Sequence, residues 1–345
     1  MGPRGQTRGW GGMASSALRI GIVGCGLAAR VHLGRLLALD GVQVVGCADP
    51  DLNAANALVA LVPIPESGPP AVAFADHREL LKQATPTALA IFTPHLAHYR
   101  PAMDALQADC HLFIEKPLST NVQEAADIVG LARGRNRKVG VGHQYRLLPS
   151  LVEARRRLSA GAIGPLRLVT ATLAQNWLAT HVGAENSWRF DPKVSGGGVL
   201  ADAGDHLIDA LLWSTGQVAT DVAAVQNRLE SGLDLVTAAA IRLGDGTPVT
   251  LAVAGVSPGQ LFEINFFGER GKLRATETSL LEELGDAPAQ AVPLVEATES
   301  IDGNFVAAVV SGTPLCCPAD AALDTVRLLE AIARSAATGQ AVRLA

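Results

Sequence analysis

The stretch LRIGIVGCGLAAR (Leu18–Arg30) decides the fold of this 345-residue chain. Its first six residues, Leu18–Val23, are apolar enough for a buried strand, and a helical pattern begins at Leu27. The loop between them, Gly24–Ala29, has the spacing G-x-G-x-x-A. The first glycine allows a tight turn, the second lets the backbone approach a pyrophosphate, and a small third residue lets helix and strand pack closely. The stretch predicts a nucleotide-binding turn, although such turns also occur without a ligand.

Short strand-like and helical segments alternate from Leu18 to about Gly142. Predicted strands lie at Leu18–Val23, Val42–Ala48, Thr87–Phe92, His111–Glu115 and Lys138–Val141. Predicted helices lie at Leu27–Leu39, after Asp51, around His77–Lys82, at Ala97–Gln107 and at Asn121–Arg133. This alternation with short connections predicts an α/β fold whose N-terminal part is a Rossmann domain with a doubly wound parallel sheet.

The pattern changes after Gln144, where strand-like runs follow one another with few helices between them. The runs are Leu166–Asn176, Val218–Leu229, Leu233–Leu243, Thr247–Val256 and Leu261–Phe267, and helices are predicted after Gly196–Gly198 and at Asp320–Ala337. The pattern predicts a C-terminal α+β domain with a large, open, mainly antiparallel sheet. We therefore expect a flexible extension (1–16), a nucleotide-binding domain (17–142) and a second domain (143–345), with Met13 as an alternative start to Met1.

The composition argues against several classes of protein. Hydrophobic residues make up 48% and charged residues 18% of the chain, which is typical of a soluble globular protein. A net charge of −5 offers no basic surface for nucleic acid, and no apolar run is long enough to span a membrane. The five cysteines show neither zinc-site nor disulfide spacing. We expect buried thiols, no bound metal and a reducing, cytoplasmic location.

Asp49 follows the second predicted strand, 23 residues after Gly26. A carboxylate there accepts hydrogen bonds from the adenosine ribose, and its charge opposes a 2′-phosphate. Because no arginine follows Asp49 directly, the sequence favours NAD over NADP. Asp49 and Asp51 could instead form only a turn and a cap for the next helix.

Lys116 lies in Glu115-Lys116-Pro117, at the end of a later predicted strand. Groups at the carboxyl ends of parallel strands face the ligand crevice, so we expect this ammonium near the reacting end of a cofactor. Only five of the 28 basic residues are lysines, and a compact ammonium with a tunable pKa suits this position better than a guanidinium. The alternative is a surface lysine at a strand end. The bond to Pro117 could be cis.

Asp202 and His206 follow the glycine triplet Gly196–Gly198 and are four residues apart. On an α-helix they would share one face. A carboxylate one turn from an imidazole can orient it and raise its basicity, which suits proton transfer near neutral pH. Asp202 could also be a helix-start acid and His206 a core histidine. Gly204, between them, indicates close approach by a ligand or another backbone.

Five motifs in order resemble the Gfo/Idh/MocA family of oxidoreductases, which includes glucose-fructose oxidoreductase and inositol 2-dehydrogenase. They are GCGLAA (24–29), TPHLAH (93–98), EKP (115–117), GHQYRLLP (142–149) and WRFDPKVSGGGVLADAGDHLIDALLW (188–213). The similarity runs from about Leu18 to Leu344. Ala29 and His95 depart from the usual pattern, and Leu178–Asn186 matches no family motif and is expected to shape specificity.

The resemblance implies NAD(P)-dependent oxidation of a secondary hydroxyl of a sugar, polyol or inositol-like substrate, or reduction of the ketone. It implies that Lys116 stabilises the developing alkoxide, that His206 is the general acid/base and that Asp202 positions substrate and histidine. The residues expected at the cofactor are Gly24, Gly26, Leu27, Ala28, Asp49, Thr93, Pro94, His98, Glu115 and Lys116. Further candidates for the substrate pocket are His95, Tyr145, Arg146, Trp188 and Arg189, although the two arginines could instead tie the domains together.

The family's open sheet commonly forms an oligomer interface, so the resemblance also implies a homodimer or homotetramer through the C-terminal sheet. Leu251, Val253, Ile264 and Phe266 alternate along predicted strands and could form that face or contact the chain's own helices. Two other functions stay open. One is an NAD-dependent glycosidase that oxidises its sugar transiently, and the other is a non-catalytic nucleotide sensor on the same fold. The intact acid/base set favours a dehydrogenase.

Overall fold

The first sheet of the protein is parallel, as the sequence predicts. The computed structural model describes residues 17–66, 68–181, 188–228, 232–297 and 299–344. The six strands are β1 (Leu18–Val23), β2 (Val42–Ala48), β3 (Val72–Phe74), β4 (Ala88–Ile91), β5 (His111–Ile114) and β6 (Val139–Val141). The alternating helices are α1 (Leu27–Leu37), α2 (Leu52–Val59), α3 (His77–Ala84), α4 (Tyr99–Gln107) and α5 (Val122–Gly134). The strand order β3-β2-β1-β4-β5-β6 reverses direction at β1, where the glycine loop emerges.

Two details of this sheet differ from the sequence prediction. Strand β3 was missed because it has only three residues and follows a loop rich in proline and glycine. The helix predicted from Ala97 begins at Tyr99, after a separate 3₁₀ turn at His95–Ala97. The other strands of this sheet lie within about two residues of their predicted bounds.

The second sheet is mixed and mainly antiparallel. Its strands are β7 (Leu166–Ala174), β8 (Ala219–Asn227), β9 (Val236–Leu243), β10 (Pro248–Ala254), β11 (Leu261–Gly268), β12 (Gly271–Thr276), β13 (Leu280–Leu284), β14 (Gln290–Ala291) and β15 (Val342–Arg343). Their order is β14-β13-β12-β11-β7-β10-β9-β8-β15, and β7 pairs with β10 in parallel. The accompanying helices are α6 (Pro149–Ser159), α7 (Trp177–Thr180), α8 (Pro192–Ser195), α9 (Asp205–Thr215), α10 (Ile301–Ser311) and α11 (Ala319–Thr338). The sequence prediction lacked β12–β15, α6–α8 and α10.

The two faces of the second sheet have different environments. Leu251, Val253, Ile264 and Phe266 are at most 2% exposed and belong to the core that includes α9. They therefore contact the chain's own helices, and not an open face. On the opposite face, β9 and β10 expose the small side chains Ala238, Ala240, Thr250 and Ala252 together with Arg242, while β11 has the half-buried Glu263 and Asn265.

The last two helices return to the first sheet. Phe305 of α10 packs in one cluster with Ile20 of β1, and Ala322 of α11 packs in another with Val139 of β6. All five cysteines are free, and all but the half-buried Cys316 are buried. None of the helices in the described ranges is long and apolar enough to cross a membrane.

Candidate active site

Lys116 is buried at the carboxyl end of β5. Its peptide bond to Pro117 is cis, and its residue surface is 8% exposed. The Nζ atom donates hydrogen bonds to the backbone oxygen of Asp202 at 2.8 Å and to its Oδ1 at 2.6 Å. A buried ammonium persists only where acceptors or an opposite charge compensate for lost water. Lys116 is therefore not the surface side chain that the alternative interpretation supposed.

The Asp202 carboxylate connects three donors. While Oδ1 accepts from Lys116, Oδ2 accepts from Nε1 of Trp177 at 2.8 Å and from Nε of Arg189 at 3.1 Å. Burial by itself raises the pKa of Asp202, but the neighbouring positive charge, above all that of Lys116, holds this pKa well below its usual range. Asp202 is thus a fixed anion that orients the lysine.

The sequence prediction for Asp202 and His206 needs a correction. Leu200–Gly204 form a π-helical turn, and α9 begins only at Asp205. A π-turn changes which side chains align, and such turns are frequent at functional sites. Among the described residues no hydrogen bond joins Asp202 to His206. Asp202 therefore does not orient the imidazole through a direct hydrogen bond. Its charge favours the protonated form of His206, but burial and the charges of Lys116 and His143 outweigh that effect and lower the pKa of His206.

Asp234 explains the local geometry of this turn. Its carboxylate accepts from the backbone N–H of Gly198 and, at 2.9 Å, from that of Leu200. A Cβ added at Gly198 would lie 2.5 Å from the Asp234 backbone oxygen, so this position requires glycine. A Cβ at Gly204 would lie 3.0 Å from a methyl group of Leu200, 3.4 Å from one of Val253 and 3.5 Å from the backbone oxygen of Val199. The close neighbours of Gly204 are therefore two side chains and one backbone oxygen of this chain.

His206 presents a neutral imidazole to the pocket. Its Nδ1 is buried and has no hydrogen-bond partner among the described residues. The Tyr145 ring stacks on it with centroids 4.7 Å apart, and the His143 ring meets it edge-on at 6.1 Å. Burial, followed by the charges of Lys116 and His143, lowers the pKa of His206 well below 6.5. An imidazole in this state can accept a proton at neutral pH.

Behind His206 lies a buried ion-pair network. His143 Nε2 lies 2.5 Å from Oδ2 of Asp205, and Arg146 makes two hydrogen bonds to Asp209, at 2.8 and 2.6 Å. A further guanidinium nitrogen of Arg146 donates to the Cys316 backbone oxygen at 3.0 Å. Arg146 therefore ties the segment after β6 to α9 and to the segment before α11, and it does not line the pocket.

Ligand atoms of His143, Asp209 and Cys317 in the same network lie within 4.8 Å of one another. Such a cluster could hold a metal ion by distance alone. The Asp209 carboxylate, however, already binds the guanidinium of Arg146 through both oxygens. A cation beside that guanidinium would meet like-charge repulsion, so the residues fit an ion-pair network better than a metal site.

The two histidines of the TPHLAH motif, His95 and His98, are buried beside the site and contact backbone oxygens there. His95 is buried, its Nδ1 lies 2.9 Å from the Ser195 oxygen, and its ring meets Trp188 edge-on at 4.8 Å. Burial lowers the pKa of His95 to about 3. His98 is fully buried, with Nδ1 2.8 Å from the Pro117 oxygen and Nε2 2.9 Å from the Thr93 oxygen. The His98 ring thereby connects the ends of β4 and β5 and leaves no nitrogen for a ligand.

A pocket of about 200 Å³ opens above Lys116, Asp202 and His206. Tyr145 and Arg189, both candidates from the sequence, line it, whereas His95, Arg146 and Trp188 do not. Arg189 also lies over the Trp188 ring, with its Cζ 4.3 Å from the ring centroid. The segment Leu178–Asn186 contributes His181 to the pocket wall, and its residues 182–186 lie outside the described part of the chain.

The residues at the glycine loop fit a dinucleotide. Gly24 has φ +84°, and a Cβ there would lie 2.6 Å from the Phe92 backbone, whereas a Cβ at Gly26 would meet nothing within 4 Å. The loop thus leaves open space at the start of α1, where free N–H groups attract phosphate. The Asp49 carboxylate accepts from the backbone N–H of Cys25 at 2.8 Å and of Asp51 at 2.9 Å, which fixes it beside the loop.

Two buried polar atoms beside this space also fit a bound cofactor. Oγ1 of Thr93 and Oε2 of Glu115 have no hydrogen-bond partner among the described residues, although Nε2 of His32 lies 3.5 Å from the Glu115 oxygen as an ion-pair neighbour. Buried polar atoms are normally paired, so these two are suited to groups that a ligand supplies. Pro94 follows Thr93 directly and begins the 3₁₀ turn, while Leu27 and Ala28 begin α1. A Cβ at Gly24 would also lie 2.7 Å from the backbone nitrogen of Thr93, so the glycine loop and the end of β4 are close neighbours.

The parallel sheet, the glycine crevice and the lysine-histidine pocket together define an NAD-binding oxidoreductase fold with a second, mixed sheet. Residues 18–143 match the family model described as the oxidoreductase family, NAD-binding Rossmann fold, and residues 151–274 match the GFO/IDH/MocA C-terminal domain. These two matches cover more than half of the chain. The protein belongs to the GFO/IDH/MocA family of oxidoreductases.

Individual relatives show how far this similarity extends. The chain is 27% identical over 206 residues to the D-glucoside 3-dehydrogenase of Escherichia coli (strain K12), covering 59% of this chain and 56% of that protein. It thus spans about half the length of that relative. The aldose-aldose oxidoreductase from Caulobacter crescentus, complexed with glycerol, superposes with a TM-score of 0.83 at 19% identity, covering 95% of this chain and 100% of that one. An inositol dehydrogenase homolog from Azotobacter vinelandii, complexed with NAD+, gives 0.82 at 20% identity, covering 95% and 98%. At these identities the two structures support the fold alone.

Sequence reasoning missed several residues of the site. Trp177 and Asp234 hold the Asp202 turn, and Gln260 and Glu277 line the pocket. His181 was not singled out, but it lies in the segment Leu178–Asn186 that was expected to shape specificity. Trp177 directly follows the predicted strand Leu166–Asn176, and Gln260 directly precedes the predicted strand Leu261–Phe267. These positions at strand ends were the one sequence signal that could have marked the two residues as part of a site. Glu277 lies between β12 and β13, two strands that were not predicted, so no sequence pattern distinguished it from other surface glutamates.

Proposed function

We propose that this protein is an NAD-dependent dehydrogenase that oxidises a secondary hydroxyl of a sugar, polyol or inositol-like substrate, or reduces the corresponding ketone. The observation that carries the proposal is the buried Lys116–Asp202 pair at 2.6 Å, which faces the same pocket as the neutral imidazole of His206. A positioned ammonium and a neutral base suit removal of a proton from a hydroxyl group. Membership of the oxidoreductase family supports the same reaction class.

Each polar group in the pocket then has one task. His206 accepts the hydroxyl proton and returns it in the reverse reaction. Lys116 donates a hydrogen bond to the developing alkoxide, while Asp202 keeps the ammonium charged and in place. Arg189 and Tyr145 line the cavity and bind parts of the substrate that do not react. When bound, NAD supplies the hydride acceptor at the substrate carbon.

The cofactor is held by the crevice residues. Gly24, Gly26, Leu27 and Ala28 would bind the pyrophosphate at the start of α1. Thr93, Pro94, Glu115 and Lys116 would face the nicotinamide side. Asp49 would accept from the ribose hydroxyls, and its carboxylate, fixed by two backbone N–H groups, opposes the 2′-phosphate of NADP.

We further propose a homodimer or homotetramer formed through the exposed face of the second sheet. Small side chains such as Ala240 and Ala252 allow a second copy to approach closely. Light scattering of the purified protein gives its mass in solution. A mutation of Ala240 to arginine should shift an oligomer toward monomer, and a monomeric wild type would refute this part of the proposal.

The function is tested with purified protein, NAD and a panel of sugars and polyols, monitored by the absorbance of reduced nicotinamide. A dehydrogenase accumulates reduced cofactor with at least one member of the panel. A glycosidase would release aglycone from glycosides without accumulating it. A nucleotide sensor would bind NAD and turn over nothing.

A further inference from the structure

Glu277 forms a part of the pocket wall that the catalytic roles above leave unused. It lies in the turn between β12 and β13, and Gln260 directly precedes β11. Because β11 and β12 are antiparallel neighbours, with Glu263 opposite Thr276, the side chains of Gln260 and Glu277 meet at the same end of these two strands. Tyr145 reaches the same point from the turn after β6.

Two neutral donors hold the Glu277 carboxylate. The Tyr145 hydroxyl donates to Oε1 at 2.9 Å, and Nε2 of Gln260 donates to the same oxygen at 2.8 Å. Burial and then this hydrogen bond raise the pKa of Tyr145, so the phenol stays protonated and remains a donor. Among the described residues, Oε2 of Glu277 accepts no hydrogen bond. One oxygen is therefore fixed and the other is available in the pocket.

The charge balance of the two pocket carboxylates differs. Asp202 is compensated by Lys116 and Arg189. In the described ranges no basic side chain lies within 4.0 Å of the Glu277 carboxylate. An anion held only by neutral donors attracts hydroxyl hydrogens and repels carboxylate or phosphate groups.

We propose that Glu277 is a specificity-determining residue that accepts hydrogen bonds from substrate hydroxyls remote from the reacting carbon. This inference rests on the proposed function and narrows its substrate class. The class is an uncharged polyol or sugar with free hydroxyls at the far end, in contrast to uronates and sugar phosphates. Tyr145 connects this subsite with the acid/base, because its hydroxyl bonds Glu277 and its ring stacks on His206.

The test compares wild type with Glu277→Gln, which keeps the shape and the Oε1 acceptor but removes the charge. Neutral polyols and aldoses, the matching uronates and single-deoxy analogues of the best substrate are assayed with NAD. Losing a hydrogen bond to a charged group should raise KM about 10- to 100-fold with kcat little changed. The ratio of kcat/KM for neutral compounds to that for uronates should be smaller in Glu277→Gln than in wild type. For the deoxy analogue that lacks the hydroxyl bound by Glu277, the two proteins should have the same KM.

Two further variants keep the test decisive. Glu283→Gln on β13 is the control. Glu283 does not line the pocket, and its carboxylate lies 2.8 Å from Nζ of Lys272. The KM of this variant should equal that of wild type. If Glu277→Gln fails to fold, Glu277→Asp replaces it in the test. The shorter side chain retracts the carboxylate from the substrate, so KM should rise above that of wild type. KM values within twofold of wild type in a folded, active Glu277 variant would overturn the inference and leave the dehydrogenase intact.

If wild type oxidises no member of the panel, the proposed function fails first. Saturation-transfer NMR of the same polyols with the NAD-loaded protein then measures their binding to the subsite without turnover. Binding that is lost in Glu277→Gln and kept in Glu283→Gln supports the subsite. Equal binding by all three proteins, or binding of uronates as tight as that of neutral sugars, overturns it.

Discussion

The Nζ of Lys116 lies 2.6 Å from Oδ1 of Asp202, and the two side chains are only 9% and 8% exposed. A buried ion pair of this kind is strongly coupled, because removing one partner leaves the other as an isolated charge in a dry environment. The pair joins the end of β5 to the π-helical turn before α9. It therefore links the parallel sheet to the second part of the chain as well as building the pocket.

Asp202→Asn should destabilise the protein by about 3 kcal/mol or more, since Lys116 then lacks its counter-charge. Denaturant unfolding followed by fluorescence measures this difference. Glu283→Gln is the matched control, because its partner Lys272 is 43% exposed and such surface pairs contribute less than about 1 kcal/mol. Equal losses in the two variants would show that burial of the Lys116–Asp202 pair has no energetic consequence.

The low pKa of His206 determines how kcat/KM should depend on pH on the acid side of its pH profile. Burial and the charges of Lys116 and His143 lower its pKa well below 6.5, so the imidazole stays neutral as the pH falls toward that value. We expect kcat/KM for oxidation to remain level down to below pH 6.5. His206→Ala should lower kcat about 10²- to 10⁴-fold, whereas His77→Ala, outside the pocket, should not. An acid limb above pH 7 that disappears in His206→Ala would contradict this role for the buried imidazole.

His32 predicts a loss of stability at alkaline pH. Burial lowers its pKa, but the carboxylates of Asp302 (2.6 Å) and Glu115 (3.5 Å) outweigh burial and raise the pKa to about 9. The folded state therefore holds a proton that the unfolded state releases above pH 6.5. This contribution, on the order of 3 kcal/mol, is fully present below pH 6.5 and is lost as the pH rises through 9.

Denaturation midpoints between pH 6 and 9.5 measure the effect of His32. Wild type should lose stability across this range, and both His32→Gln and Asp302→Asn should flatten the dependence. The same slope in wild type and both variants would assign the dependence to other groups.

Arg146 distinguishes a structural from a substrate-binding role. Because both Asp209 oxygens bind its guanidinium, Arg146→Met should destabilise the protein by about 3–5 kcal/mol. Arg146→Lys keeps the charge but loses the two-point contact and should cost less. Since Arg146 does not line the pocket, KM of the folded fraction should stay close to wild type. A tenfold rise in KM with unchanged stability would instead place Arg146 at the substrate.

The sequence predicted the first sheet better than the site because its signals there are local. The bounds of β1 and β2 follow from apolar runs beside a glycine turn, and Asp51 caps α2, as the alternative interpretation of that turn supposed. The sequence left open whether Leu251 and Phe266 face a second copy of the chain or the chain's own helices. Only the packing of α9 on this face decides between the two, and an alternation of two residues does not reveal that packing.

The site itself depends on contacts between distant parts of the chain. The π-helical turn that separates Asp202 from His206 is set by Asp234, about 30 residues further on, and no local pattern signals it. Glu277 reaches the pocket through a hairpin of two short strands, β12 and β13, which the sequence pattern did not reveal. Motif spacing can select residue types, whereas these positions follow from tertiary structure.

The most direct test of the proposed dehydrogenase measures turnover and NAD affinity together in Lys116→Arg and Lys116→Met. Arginine keeps the charge beside Asp202 but not the compact ammonium. If Lys116 stabilises the alkoxide, both variants should lose about 10²-fold or more in kcat while the Kd for NAD stays close to wild type. Turnover near the wild-type rate in either folded variant, with NAD bound, would contradict the central claim.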